Sequence, residues 1–362
     1  MSRRNLLASL VATFSMLTLN GCGQGETQSD LSTLLNAPGD GFRQAQAGMP
    51  INLPADMGVH PEFRLEWWYL TANLQAEGGE AYGVQWTLFR LGLKPVQEPR
   101  TDLGWYRDTF WLAHAALSRP DRHLFASKQA RGGSGQAGVS VEPFRAWIDR
   151  WRFEAQAADD YLLDVQTPAF GYRLSLSPRL PPVVHGEQGF SAKSVQGGGS
   201  MYFSYPALDI EGEVEIDGKS VRVMGQGWLD REWSSQYLRP GQQGWDWLAL
   251  HLADGRHLML FRIRGDSDYV SGTLVAADGR SRTLGAEEFT LRPLTYRQTE
   301  AGRIPVAWVF ELPAQQLQLE IRSWPGEYWN PGRFGYWEGP VSVQGSVQGE
   351  GYLEMTGYSR QK

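Results

Sequence analysis

The stretch Gly225-Gln-Gly-Trp228-Leu-Asp230-Arg231-Glu232-Trp233 crowds two carboxylates, a guanidinium and two indoles into one short segment. Read as a strand, it sends Trp228, Asp230 and Glu232 to one face and Leu229, Arg231 and Trp233 to the other. A carboxyl held against an indole away from water has its charged form disfavoured. Its pKa then rises, and it keeps a proton near neutrality. That equips Asp230 as a general acid with Glu232 beside it. The same residues also read as a structural set, in which Asp230 and Glu232 pair with Arg231 or another arginine and tie the end of a sheet. Both readings stay open at the level of sequence.

A second cluster, His60-Pro-Glu62-Phe-Arg64-Leu-Glu66-Trp67-Trp68-Tyr69, places Glu66 and Trp68 on one strand face and Trp67 and Tyr69 on the other. Glu66 is a candidate second carboxylate for a cavity, or the partner of Arg64 in an end cap. His114, within Trp111-Leu-Ala-His-Ala-Ala-Leu-Ser118, is either a polar pocket residue or a hydrogen-bonded core histidine. The six histidines show no HExxH spacing and a single cysteine excludes thiolate sites, so no metal is expected. A two-residue turn at Asp254-Gly255 would pair His257 with Leu252 and set His257 and His251 on opposite faces. No G-x-S-x-G elbow, P-loop or G-x-G-x-x-G turn occurs, which removes serine-hydrolase and nucleotide chemistry and leaves no cofactor to expect.

These residues must be carried by strands. Beyond residue 50 the apolar residues recur with period two, broken by turn residues, and no long helical pattern appears. The clearest hairpin is Glu213–Val223, whose Asp217-Gly218 supplies the positive φ angles of a type I′ turn. Alternation also marks 172–176 and 317–322. Many short strands at this spacing predict an all-β sandwich or barrel. Trp67-Trp68-Tyr69-Leu70 leads to Leu88-Phe89-Arg90 much as Trp245-Asp246-Trp247-Leu248 leads to Leu260-Phe261-Arg262, which suggests one unit used twice. With 362 residues, two domains are expected, bounded at 51–239 and 240–362. The 15 tryptophans are roughly threefold above average usage. They fill two cores, or they line an aromatic cavity for an apolar ligand, for which Trp67, Trp68, Tyr69, Trp228, Trp233, Trp245 and Trp247 are the candidates.

The N-terminus adds a compartment. Arg3 and Arg4, an apolar run from Leu6 to Leu19, and Asn20-Gly21-Cys22 read as a signal peptide over residues 1–21. The end of that run resembles a bacterial lipobox, which implies lipidation of Cys22 and a membrane anchor. Gly23 after it resembles lipoproteins sorted to the outer membrane, facing the periplasm. Ser2-Arg3-Arg4-Asn5-Leu6-Leu7 is similar to a twin-arginine signal, so both export routes stay open. Residues 22–50, polar and rich in Gly, Gln, Asp and Ala, are expected to be a flexible tether. The net charge of -6, without a basic block, excludes nucleic acid as a partner.

Six ordered blocks carry a family resemblance from about His60 to Tyr358. They are HPEFRLEWWYLTANL from His60, HAALSRPD from His114, MYFSYPAL from Met201, GQGWLDREW from Gly225, GWDWLALHLADG from Gly244 and YWEGPVSVQGSVQGEGYLEMTGY from Tyr336. With these the chain resembles the AttH and carotenoid 1,2-hydratase family. The resemblance implies two consecutive lipocalin-like antiparallel barrels of the calycin type. It also implies relatives that add water to isolated double bonds, with the suspected acid falling on Asp230, and exported relatives encoded beside ABC-transporter components. Two functions follow as expectations. One is a periplasmic lipoprotein that binds or transfers a lipophilic small molecule, with ABC-transporter components as candidate partners. The other is an acid-catalysed hydratase or isomerase, with Asp230 as acid and Glu232 or Glu66 guiding water. A scaffold lipoprotein whose aromatics are all structural is the third.

Overall fold

The computed structural model describes residues 39–95, 108–156, 160–299, 302–331 and 335–358. Cys22 and the expected signal segment, residues 1–21, lie outside them. The described residues form two antiparallel sheets, with no α-helix and two single-turn 3-10 segments. The first sheet runs from Leu65–Ala76 to Lys219–Ser234 in sequence, and the second from Gln242–Leu252 to Gly349–Met355. Leu65–Ala76 lies at the centre of the first sheet, between Ala81–Gly92 and Lys219–Ser234. The sheet curls until Arg122–Arg131 approaches Phe144–Ile148, a nearly closed barrel. The second sheet makes a half-barrel.

Each sheet wraps around its own core. The inward residues of the first include Trp68, Leu70, Trp86, Trp111, Trp151 and Phe153, and those of the second include Leu248, Leu260, Trp308, Phe310 and Trp337. A third cluster lies outside both. It joins the outward residues Trp67, Tyr69 and Trp228 of the first barrel to Trp245, Trp247 and Phe261 of the second. Strand alternation explains this. Every second residue of a strand must leave the barrel interior, and here the outward set is as apolar as the inward one, so two outer faces press together at a seam. The contact is close. Asn73 donates to the Gly351 carbonyl across it at 3.1 Å, and a Cβ added at Gly83 would drive into Pro340 and the Tyr352 hydroxyl.

Two local expectations are corrected. Asp217 and Gly218 both have positive φ and close a two-residue type I′ hairpin, but Asp254-Gly255 does not. There the loop spans three residues, with Leu252 N–H bonded to the Arg256 carbonyl and only Gly255 at positive φ. One extra residue reverses the parity of the pairing, so His251 faces His257 directly and their Nδ1 atoms stand 2.9 Å apart. Residues 39–50, expected to belong to a flexible tether, are packed instead. From Gly39 the chain packs on the first barrel: the Ser235 hydroxyl donates to the Arg43 carbonyl, Ala45 is buried, and Met49 and Ile51 pack on the core.

Candidate active site

The strand Lys219–Ser234 carries the first acid of the site. Its register sets Asp230 opposite Tyr69 and Glu232 opposite Trp67 on one side, and opposite Ser204 and Tyr202 on the other. Directly paired residues share a face, so all six leave the barrel toward the seam. The next strand adds Phe89 opposite Trp67 and Thr87 opposite Tyr69. From the second barrel the register groups Trp247 with Phe261 and Glu354, and Trp245 lies two residues before Trp247 on the same face. Apart from Tyr202 and Ser204, these residues and Tyr237 from the linker between the sheets line a partly open cavity of about 30 Å³. Its aromatic walls meet edge to face, with Trp67 against Tyr237 at 5.0 Å and Tyr69 against Trp247 at 5.1 Å between centroids.

Three buried carboxyls reach this apolar space. Asp230 accepts hydrogen bonds from Tyr202 Oη at 2.7 Å, from Trp228 Nε1 at 2.5 Å and from the Ser204 hydroxyl. Burial lifts its pKa from 3.8 to about 7 against the pull of those donors. Glu354 accepts from Trp245 Nε1 at 2.6 Å, and burial, aided by the negative charges of Asp230 and Glu232, lifts it to about 8. Glu232 is raised by burial too, but the Lys193 ammonium, 3.0 Å from its Oε1, pulls the other way. Behind Asp230, Ser204 is bonded to His185 Nε2 at 2.6 Å, and His185 Nδ1 to Thr273 at 2.8 Å. Burial drops His185 to about 3, so the imidazole is neutral.

Not every candidate reaches the cavity. Trp67, Tyr69, Trp245, Trp247, Asp230 and Glu232 line it, and Trp228 supports Asp230 from behind. Trp68 and Trp233 point into the first barrel. Glu66 shares their inward face, so the cavity reading for it is corrected. It is fully buried between the guanidiniums of Arg90 and Arg231, with His60 Nδ1 at 3.1 Å. Burial raises its pKa, but the two arginines more than reverse this and hold Glu66 well below the usual carboxylate range. Arg231 in turn lies 3.9 Å over the Trp68 ring, and His60 stacks on Trp233. Asp246 repeats the pairing but not the balance: it faces Arg262 across its hairpin as Glu66 faces Arg90, with Arg262 NH1 at 3.0 Å, yet burial outweighs Arg264 and Arg262 and raises its pKa. His114 sits at the seam outside the cavity lining, with Nδ1 3.0 Å from Tyr336 Oη, and burial drops it to about 3. Among the described residues no cluster of three metal-ligating side chains occurs.

The sequence reading missed Tyr202, Ser204, Tyr237, Phe261, Glu354 and Lys193. A signal existed for three of them. Tyr202 and Ser204 alternate in MYFSYPAL, and Glu354 alternates with Tyr352 in YLEMTGY, as outward residues of strands must.

The AttH-like family profile matches residues 44–358. Among curated proteins none matches the chain. A solved AttH structure from Nitrosomonas europaea is 32% identical, covers 88% of this chain and 100% of its own, and superposes with a TM-score of 0.78. Kievitone hydratase from Nectria haematococca shares the fold at 13% identity, with 88% and 98% coverage and a TM-score of 0.63. CghA in complex with Sch210972 does so at 15% identity, 89% and 98% coverage, and a TM-score of 0.50.

Proposed function

The chain belongs to the AttH-like family, and from that premise we propose that it is an acid-catalysed hydratase or isomerase acting on a carbon–carbon double bond of a small lipophilic substrate held at the seam. One observation carries the reading: Asp230 is a buried carboxyl that keeps its proton to about pH 7 inside an aromatic-walled cavity. The family neighbour named as a hydratase supports it by analogy of fold alone.

In this chemistry the Asp230 proton adds to one alkene carbon, the π pair becomes the new C–H bond, and positive charge develops on the other carbon. Tyr202, Ser204 and Trp228 already aim three donors at Asp230, so they stabilise the carboxylate left as the proton departs without reorganising. Trp67 and Trp247 line the same cavity, and a ring face turned toward the cation would stabilise it by about 0.5–2 kcal/mol. Water then adds its lone pair to the cation and gives its proton to one of the other two carboxyls, Glu232 or Glu354. Return of that proton to Asp230 closes a net addition of water. Loss of a different proton from the cation gives the isomerised alkene instead.

A second reading, binding or transfer of a lipophilic molecule without turnover, draws on the predominance of rings in the lining. We propose for either case that Cys22 carries a lipid anchor and the body works at the periplasmic face of the outer membrane. Full-length protein incubated in H2 18O with oleic acid and with a short isoprenoid alkene separates the readings. Acid catalysis predicts 18O-labelled alcohol by mass spectrometry, lost in Asp230→Asn. Probes that quench tryptophan fluorescence yet gain no label or shifted double bond overturn it in favour of binding.

A further inference from the structure

Three carboxyls line the cavity and one ammonium lies beside it, and that ammonium is not shared evenly. Lys193 lies in the turn after Phe190–Ala192, with its side chain 1% exposed. Its Nζ stands 3.0 Å from Glu232 Oε1 and 3.1 Å from Ser191 Oγ. The remaining directions are filled by rings, Phe261 at 4.3 Å, Tyr237 at 4.8 Å and Tyr202 at 5.3 Å from their centroids. Rings accept a cation without neutralising it, so Glu232 is the anion in contact with this charge, while Asp230 acts on it from farther away. Among the described residues no cation lies within ion-pair distance of Asp230 or Glu354; their polar partners are neutral N–H and O–H donors.

We propose that Lys193 is the positioning residue that fixes Glu232 as the ionised base of the cavity and leaves Asp230 and Glu354 as its proton-bearing pair. This rests on the acid-catalytic reading and decides the point that reading left open, namely which carboxyl accepts the proton of water. A buried carboxylate and a buried ammonium each cost several kcal/mol alone, and about that much is recovered when they pair with their remaining sites bonded. One pair is therefore affordable in this seam, and the position of Lys193 chooses its member. Once ionised, Glu232 raises both neighbours by like-charge repulsion. The groups facing Glu232 are Asp230 on its own strand, Ser200 and Tyr202 on the paired strand, Lys193, Tyr237 at 3.5 Å, and Glu354 from the second barrel. Lys193 is the cation in this set.

The test is a carboxyl 13C NMR titration of the full chain labelled at Asp and Glu, with the three resonances assigned from Asp230→Asn, Glu232→Gln and Glu354→Gln. In the wild type Glu232 is expected to titrate below both Asp230, near pH 7, and Glu354, near pH 8. Lys193→Met should move the Glu232 midpoint up by about one to three pH units and move Asp230 and Glu354 down. A wild-type Glu232 that titrates above Asp230 overturns the proposal without any Lys193 variant, so it stays testable even if Lys193→Met fails to fold. A folded Lys193→Met with an unchanged Glu232 midpoint overturns it as well. The titration reads Lys193 whether or not any alkene turns over, whereas the 18O experiment reads the acid-catalytic assignment by itself.

Discussion

Replacing Asp230 by Asn should stabilise the protein while removing its chemistry. In the unfolded chain the carboxyl titrates near 3.8, and in the fold it holds its proton to about pH 7. Between these values the folded state binds more protons than the unfolded one, so stability falls as pH rises through that window and levels off above pH 7. With roughly 1.4 kcal/mol for each factor of ten in a proton equilibrium, the full penalty is about 4 kcal/mol at pH 8. Asn is uncharged throughout and carries no such penalty. Its amide oxygen accepts from Trp228, and the Tyr202 and Ser204 hydroxyls can reverse to meet its amide group. The stability gain of Asp230→Asn, measured by urea unfolding, should therefore grow from near zero at pH 4 to about 2–4 kcal/mol at pH 8, with a plateau above pH 7. Turnover should fall by about 10²–10⁴, the usual worth of a general acid. A variant less stable than wild type at pH 8, or a difference independent of pH, would refute the reasoning, because either result means Asp230 is ionised in the fold and compensated by its surroundings.

Glu66→Gln should have the opposite thermodynamic sign. It leaves Arg90 and Arg231 buried without their carboxylate and costs about 3–5 kcal/mol at pH 7. Because the folded pKa of Glu66 is depressed, that contribution is present above about pH 4.5 and is lost as pH falls, so the two proteins should converge in urea unfolding at acid pH. Gly83→Leu forces a side chain into Pro340 and Tyr352 at the seam. It should cost about 1–3 kcal/mol and split one unfolding transition into two as the barrels part, visible by differential scanning calorimetry. Trp247→Phe keeps an aromatic face, though a smaller one, and removes the N–H that donates to Tyr202 Oη at 3.1 Å. A loss of about 1 kcal/mol at the transition state should appear as a roughly fivefold lower kcat with KM little changed; an unaltered kcat would mean Tyr202 is held by other partners.

The face on which each candidate lies was legible from alternation alone. Trp228, Asp230 and Glu232 do share one face, and Trp67 and Tyr69 share another that meets it, because strand geometry leaves no alternative once the strand is recognised. What each face touches was not legible. Glu66 and Asp230 are both acids one or two residues from a tryptophan, yet one is held between two guanidiniums and the other sees none. The difference is set by pairing register, Glu66 against Arg90 and Asp230 against Ser204, which joins residues far apart in the chain. The repeat was visible but misaligned: the matching positions are Glu66-Trp67 and Asp246-Trp247, as their partners Arg90 and Arg262 show. His251 and His257 failed for a smaller reason, since a single residue of loop length reverses strand parity and the Asp-Gly signal does not specify that length. Lys193 had no local sign at all. Its neighbours Glu232, Tyr237 and Phe261 come from segments that only folding brings together.

A site placed between two outer surfaces is a mould in two halves, each half rigid and separately cast. In an ordinary lipocalin-like barrel, widening the ligand space means hollowing the core that holds the barrel together, so every change of ligand risks the fold. Here Trp67 and Phe89 on one half, and Trp247 and Phe261 on the other, can be exchanged while the packing around Trp86 and around Trp308 is left as it was. Shape and chemistry are then free to drift on the joint alone. On the acid-catalytic reading, such an architecture lets the substrate change at a cost confined to the joint, with the two barrel cores left intact.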